Sequence, residues 1–88
     1  MSAGVMQISV RYFASLREAL GPGESVQCPA GTTLAALREQ LIARGGAYAV
    51  WLAHGRAVRC ALDQQMVTGD APLHDGAEVA YFPPVTGG

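Results

Sequence analysis

Helical periodicity is sustained over only one long stretch of this sequence, and that stretch limits the architectures open to the chain. Leu34, Leu37 and Leu41 recur at intervals of three and four residues, with Arg38 and Glu39 on another face. Thr32 or Thr33 can supply an N-cap oxygen, and Gly45-Gly46 supplies the stop. The remaining segments are short. Met6, Ile8, Val10 and Tyr12 interleave with Gln7, Ser9 and Arg11, which predicts a half-buried strand. Ser25–Pro29, Val58–Leu62 and Ala77–Phe82 are further strand candidates, and Gln65–Val67 is a shorter one. Ala14–Leu20 has helical composition and is closed by Gly21-Pro22-Gly23, whereas Ala47–Ala53 suits either a buried helix or a strand. A single main helix packed across one mixed sheet is an α+β arrangement.

With 88 residues there is room for one domain. The order strand, short helix, strand, long helix, then two or three strands selects a β-grasp (ubiquitin-like) roll over residues 1–82, followed by an extended C-terminal tail over 83–88. Half of the residues are hydrophobic and 15% are charged, which excludes intrinsic disorder. Seven acids nearly cancel six bases for a formal net charge of −1, so no surplus is available to neutralise nucleic-acid phosphates. All six bases are arginine, which removes every lysine-based chemistry. The apolar runs are far shorter than the roughly 20 residues that span a bilayer. The N-terminus lacks the basic segment of a signal peptide, and the expected location is the cytoplasm. Cys28 and Cys60 sit in alternating apolar segments without His at ligand spacing, so both are expected as buried free thiols and no metal site is expected. His54 and His74 stand beside turn residues and are expected as solvated loop side chains.

The most informative residues are the last six, Pro83-Pro84-Val85-Thr86-Gly87-Gly88. Consecutive prolines fix φ and remove two donors, so sheet pairing ends there and the chain must leave extended. At about 3.1–3.3 Å per residue, six residues project roughly 20 Å. A terminus without Cβ atoms on its last two residues can thread a narrow pocket of another protein and expose its carboxylate to attack. Phe13 and Phe82 fall, by strand parity, on the faces that carry polar residues. If the first and last strands pair, the two aromatics adjoin beside the root of the tail and form a docking patch.

Val10-Arg11-Tyr12-Phe13-Ala14 followed by Arg17-Glu18, and Thr33-Leu34 with Ala36-Leu37-Arg38, resemble the small subunit of molybdopterin synthase. Pro72-Leu73-His74-Asp75-Gly76-Ala77-Glu78-Val79-Ala80-Tyr81-Phe82 and the ending through Gly88 resemble that family more closely still. The likeness runs from about Met6 to Gly88, and Asp63-Gln64 departs from the Asn-Gln common in relatives. The resemblance implies a carrier whose Gly88 carboxylate is adenylated with ATP by an E1-like enzyme and converted to a thiocarboxylate. That group then donates sulfur to cyclic pyranopterin monophosphate inside a large subunit, in a heterotetramer of two small and two large subunits. It further implies no permanently bound cofactor. Gly87 and Gly88 would be the reacting end, while Phe13, Met66, Phe82, Pro83, Pro84, Val85 and Thr86 would contact the partner; Met66 enters only through its match to an apolar interface position. A sulfur carrier for thiamin thiazole synthesis, a ubiquitin-like protein modifier and a plain interaction module are the alternatives.

Overall fold

The computed structural model describes residues 4–84. Eight elements follow in order: β1 (Val5–Tyr12), α1 (Ser15–Leu20), β2 (Gly23–Pro29), α2 (Leu34–Ile42), α3 (Gly46–Trp51), β3 (Arg59–Leu62), β4 (Gln65–Val67) and β5 (Glu78–Phe82). The strands form one mixed sheet in the order β2-β1-β5-β3-β4. β1 runs parallel to β5, and every other pairing is antiparallel. This is the β-grasp roll that the element order predicts. The ambiguous segment 47–53 resolves as helix α3, whose Tyr48 and Trp51 are half-buried against the core while Val50 is exposed.

Strict alternation in β1 places Met6, Ile8, Val10 and Tyr12 under the helices and leaves Val5, Gln7, Ser9 and Arg11 exposed. Leu34, Leu37 and Leu41 of α2 descend onto Ile8, Val10, Val79 and Tyr81. A fully buried leucine of this kind stabilises the fold by roughly 1.5–3 kcal/mol. The Thr33 hydroxyl caps α2 by accepting from the Ala36 amide at 3.3 Å, as the sequence indicates. A second cap comes from outside the local sequence: Asp70 Oδ1 accepts the Ala35 amide at 2.9 Å and ties the β4–β5 connection to the start of α2. Arg38 closes the end of α3, donating from Nε to the Leu52 carbonyl and from Nη2 to the Ala53 carbonyl, both at 2.8 Å.

A four-residue cluster locks the β1–β2 edge. Glu24 Oε2 accepts the Tyr12 hydroxyl at 3.0 Å and the Tyr48 hydroxyl at 3.1 Å, while Arg44 Nη1 donates to both carboxylate oxygens at 2.7 and 2.9 Å. Burial alone would raise the Glu24 pKa, but the hydrogen bonds from Arg44, Tyr12 and Tyr48 outweigh it and hold the carboxyl below its ordinary value. Tyr12 moves upward, through burial and through its bond to the Glu24 carboxylate.

The isolated histidines and cysteines fall largely where expected, with carboxylate partners for the histidines and a less buried Cys60. His54 and His74 are exposed loop residues, but each meets a carboxylate. His54 Nε2 approaches Glu39 Oε2, and His74 Nε2 lies 2.8 Å from Asp63 Oδ2. Cys28 is buried and Cys60 is half-buried, both as free thiols, and burial pushes both upward in pKa. Among the described residues no helix is long and apolar enough to cross a membrane.

Candidate functional site: the open sheet face and the root of the tail

One face of the sheet carries the helices, and the other is left uncovered by any element. Cross-strand register decides what that open face displays. Arg11 pairs with Ala80, Ala80 with Ala61, and Ala61 with Met66, so one row crosses four strands. The two alanines in its centre form a low floor, and the longer side chains stand at its ends. One step further along, Arg59 pairs with Phe82. Because Tyr12 pairs with Tyr81 in parallel register, the next residues, Phe13 and Phe82, reach the same end of the sheet together. The Phe13 amide donates to the Tyr81 carbonyl at 3.1 Å and extends that pairing by one residue.

Phe13, Met66 and Phe82, expected as contact residues, therefore share this open face. Phe13 is 40% exposed and Met66 56%, and with Val5 and Val50 they are the exposed large apolar side chains among the described residues. Phe82 is half-buried. Ala14 adopts φ +55 immediately after Phe13, a left-handed backbone that ordinarily favours glycine. It turns the chain sharply from β1 into α1 and leaves Phe13 as the last side chain of the strand.

The chain leaves the sheet at the same corner. Pro83 and Pro84 are half-buried, and Pro83 lines a small cleft of about 60 Å³ with Leu16, Trp51, Arg56 and Val58. The expected free tail thus begins with a proline seated against its own domain. Arg56 lies 4.5 Å from the Trp51 ring centroid and donates from Nε to the Val50 carbonyl at 3.2 Å, which rigidifies that side of the exit. Val85, Thr86, Gly87 and Gly88, the remainder of the expected delivery arm, lie outside the described residues.

A larger cavity, about 410 Å³, opens between α2 and the β3–β4 edge, lined by Leu34, Ala35, Arg38, Val58, Cys60 and Val67 among others. Two of its charged walls are engaged: Arg38 donates to the Leu52 and Ala53 carbonyls just past α3, and Asp70 accepts the Ala35 and Ala71 amides at 2.9 Å each, while His54 and Arg59 also line it. The exposed aromatics and the exit of the chain define the more informative surface. Among the described residues no group of three or more His, Cys, Asp or Glu side chains comes together as a metal site.

The departure at Asp63 acquires a structural role. Asp63 and Gln64 take φ +50 and +70 in the two-residue turn between β3 and β4. The Asp63 amide donates to the Glu78 carbonyl at 2.8 Å, and its Oδ1 accepts the Glu78 amide at 3.0 Å. Asp63 Oδ2 holds His74. The bond from Glu78, then that from His74, lowers the Asp63 carboxyl below its ordinary value, and Asp63 raises His74.

Comparison with known proteins agrees with this architecture. The sequence model of the ThiS family matches residues 10–88. The molybdopterin synthase sulfur carrier subunit of Escherichia coli is 41% identical over 81 residues, covering 92% of this chain and 99% of that protein. The solution structure of the Haloferax volcanii HVO 2177 protein superimposes with a TM-score of 0.76 at 27% identity, covering 97% of this chain and 89% of that one. A chain in the complex of subunits 1 and 2 of molybdopterin-converting factor from Helicobacter pylori gives a TM-score of 0.69 at 25% identity, covering 94% of this chain and all of that one. The fold and the matched length make this chain a member of the ThiS family of β-grasp proteins. Within that class it belongs with the molybdopterin synthase sulfur carrier subunits.

Proposed function

We propose that this chain is the sulfur-carrying small subunit of a cytoplasmic molybdopterin synthase, with the carboxyl group of Gly88 as the carrying atom set. A carboxylate is a poor acceptor, so activation by an E1-like enzyme passes through an acyl-adenylate formed from ATP. A sulfur source then displaces AMP to give the thiocarboxylate. The ionised thiocarboxylate is a soft nucleophile, suited to attack on cyclic pyranopterin monophosphate within a large subunit. Two such deliveries build the dithiolene of molybdopterin, consistent with an assembly of two small and two large subunits. The small subunit needs no permanently bound cofactor for this task.

One observation carries the proposal. Phe13 and Phe82 adjoin on an uncovered sheet face, at the corner where the chain continues through Pro83-Pro84 to Gly87-Gly88, and Met66 lies on the same face two strands away from β5. The face supplies an apolar docking patch, and the proline pair stiffens the arm that follows. Neither cysteine suits the role: burial raises Cys28, and burial, only partly offset by Arg38, raises Cys60, so both stay protonated and weakly nucleophilic. Incubation with the activating enzyme, ATP and a sulfur source, followed by intact mass measurement, tests the assignment. Replacement of one oxygen by sulfur at the C-terminus is expected. Adducts on lysines of other proteins instead would identify a modifier, and an unchanged mass would remove the carrier function.

A further inference from the structure

We infer that the docking face selects a partner whose contact rim carries carboxylates, through Arg59 and Arg11 flanking the two phenylalanines; this rests on the small-subunit function proposed above. The charge layout of the chain carries the inference. Although the formal net charge is −1, five of the seven acids are engaged away from the Phe13–Phe82 corner, leaving Glu18 on α1 and Glu78 beside Arg11. Glu24 holds Arg44, Glu39 meets His54, and Asp63 holds His74. Asp70 caps α2, and Asp75 accepts the Gln7 amide at 2.7 Å.

The arginines are distributed differently. Arg59 pairs across the sheet with Phe82, is exposed, and makes no ion pair or side-chain hydrogen bond among the described residues. Arg11 lies with its guanidinium 5.7 Å from the Phe13 ring centroid. Its one acidic neighbour, Glu78, stands 3.7 Å away in a solvated pair with the Arg11 side chain 54% exposed, an arrangement that holds little energy. Two guanidinium groups thus flank an apolar patch, Arg59 without an ion pair among the described residues and Arg11 in a loose, solvated one. An arginine beside a docking aromatic presents a planar fork that fits a carboxylate with two parallel hydrogen bonds. A partner that covered the phenylalanines with a basic or purely apolar rim would strand these charges. A partner with Asp or Glu at that rim satisfies them and is also steered toward the correct end of the sheet.

The test measures association of the full-length chain with the large synthase subunit by stopped flow over a range of salt concentrations. Wild type, Arg59→Gln, the double variant Arg59→Gln with Arg11→Gln, and Ala36→Glu are compared. Ala36 is exposed on α2, in the layer opposite the open sheet face, so its substitution changes net charge by the same amount as Arg59→Gln without touching the patch. For wild type the association rate should fall steeply with added salt. Arg59→Gln should slow association roughly 3–10-fold at low salt, the double variant more, and the rates should converge with wild type at high salt. Ala36→Glu should stay within about twofold, because only local charge steers the docking. Unchanged rates and salt dependence in both arginine variants, or faster association on arginine removal, overturn the inference while leaving the carrier function intact. Absence of any association by wild type overturns the carrier function itself, and this inference with it.

Discussion

Glu24→Ala removes the acceptor on which three side chains converge, and its effect can be worked from the geometry. Tyr12 is almost fully buried, and its hydroxyl has Glu24 as acceptor at 3.0 Å. Hydrogen bonds to a charged partner contribute about 1.5–3 kcal/mol, and leaving the donor buried without one forfeits that amount. The Tyr48 bond at 3.1 Å adds about 0.5–1.5 kcal/mol. The Arg44 pair, with its arginine 36% exposed, adds less than about 1 kcal/mol. A loss of about 2–5 kcal/mol is expected, against a total stability of roughly 4–13 kcal/mol for a chain of this size. The corresponding fall in Tm is roughly 10–40 °C. Urea unfolding at pH 7, followed by far-UV circular dichroism, should show a lower midpoint with an unchanged slope. Acidification supplies an internal check. The Glu24 carboxyl is held low in the folded chain, so its stabilisation is present above the ordinary carboxylate pKa of about 4.3 and fades as pH falls through the folded value. The gap between wild type and variant should therefore narrow toward pH 2–3, by roughly the charged part of the interaction. A variant within about 0.5 kcal/mol of wild type at pH 7, or a gap insensitive to acid, would refute the role given to this cluster.

Three further outcomes are expected. Phe13→Ala or Phe82→Ala should weaken binding to the large subunit by roughly thirtyfold or more, since truncating a central interface aromatic removes about 2 kcal/mol; calorimetric titration with both variants folded checks this, and equal affinity would remove them from the interface. Ala14→Gly should raise stability by about 1 kcal/mol, because glycine relieves the left-handed backbone at φ +55 by more than it adds to unfolded-chain entropy; a less stable variant in urea would contradict that strain. The His74–Asp63 pair should add to stability only within a pH window: the lowered Asp63 contributes above about pH 3.9 and fades as pH falls below it, while the raised His74 contributes below about pH 6.5 and fades as pH rises through its folded value. Tm measured against pH for wild type and His74→Gln should differ most between those limits, and a constant difference from pH 3 to 9 would exclude the pair.

Much of this was legible in the residues because it follows from local periodicity. Alternation in Met6–Tyr12 and the leucine spacing of α2 fix which side chains face inward, and parity alone sends Phe13 and Phe82 to the other face. What parity cannot supply is register. That β1 lies parallel to β5, and that Met66 falls in the row of Ala61, Ala80 and Arg11, depends on pairings between distant segments. The helix α3 was ambiguous for a related reason: six or seven apolar residues satisfy either period, and only packing against α2 decides. Contacts made across long sequence separations were likewise invisible. Asp70 capping α2, Arg38 closing α3, and Asp63 gripping both Glu78 and His74 are side chains whose partners lie 11 to 35 positions away. The arginines beside the phenylalanines were readable as positions, but that Arg59 makes no ion pair among the described residues and Arg11 only a loose one with Glu78 was not.

The central claim is that Gly88 delivers sulfur from a fixed position, and position can be changed without changing chemistry. Deleting Gly88 leaves a carboxylate but draws it back by about 3.3 Å. Adding one residue moves it forward by a similar amount. A misplacement of 1 Å can cost on the order of a hundredfold in rate, so either change should abolish delivery. The decisive measurement is molybdopterin formation from the pyranopterin precursor by reconstituted synthase, using wild type, the deletion and the one-residue extension, each loaded as the thiocarboxylate. Product from wild type alone, with all three chains equally stable and equally able to bind the large subunit, is the predicted result. Near-normal product from both altered chains would contradict the claim, because the end of the chain could not then be the delivering group.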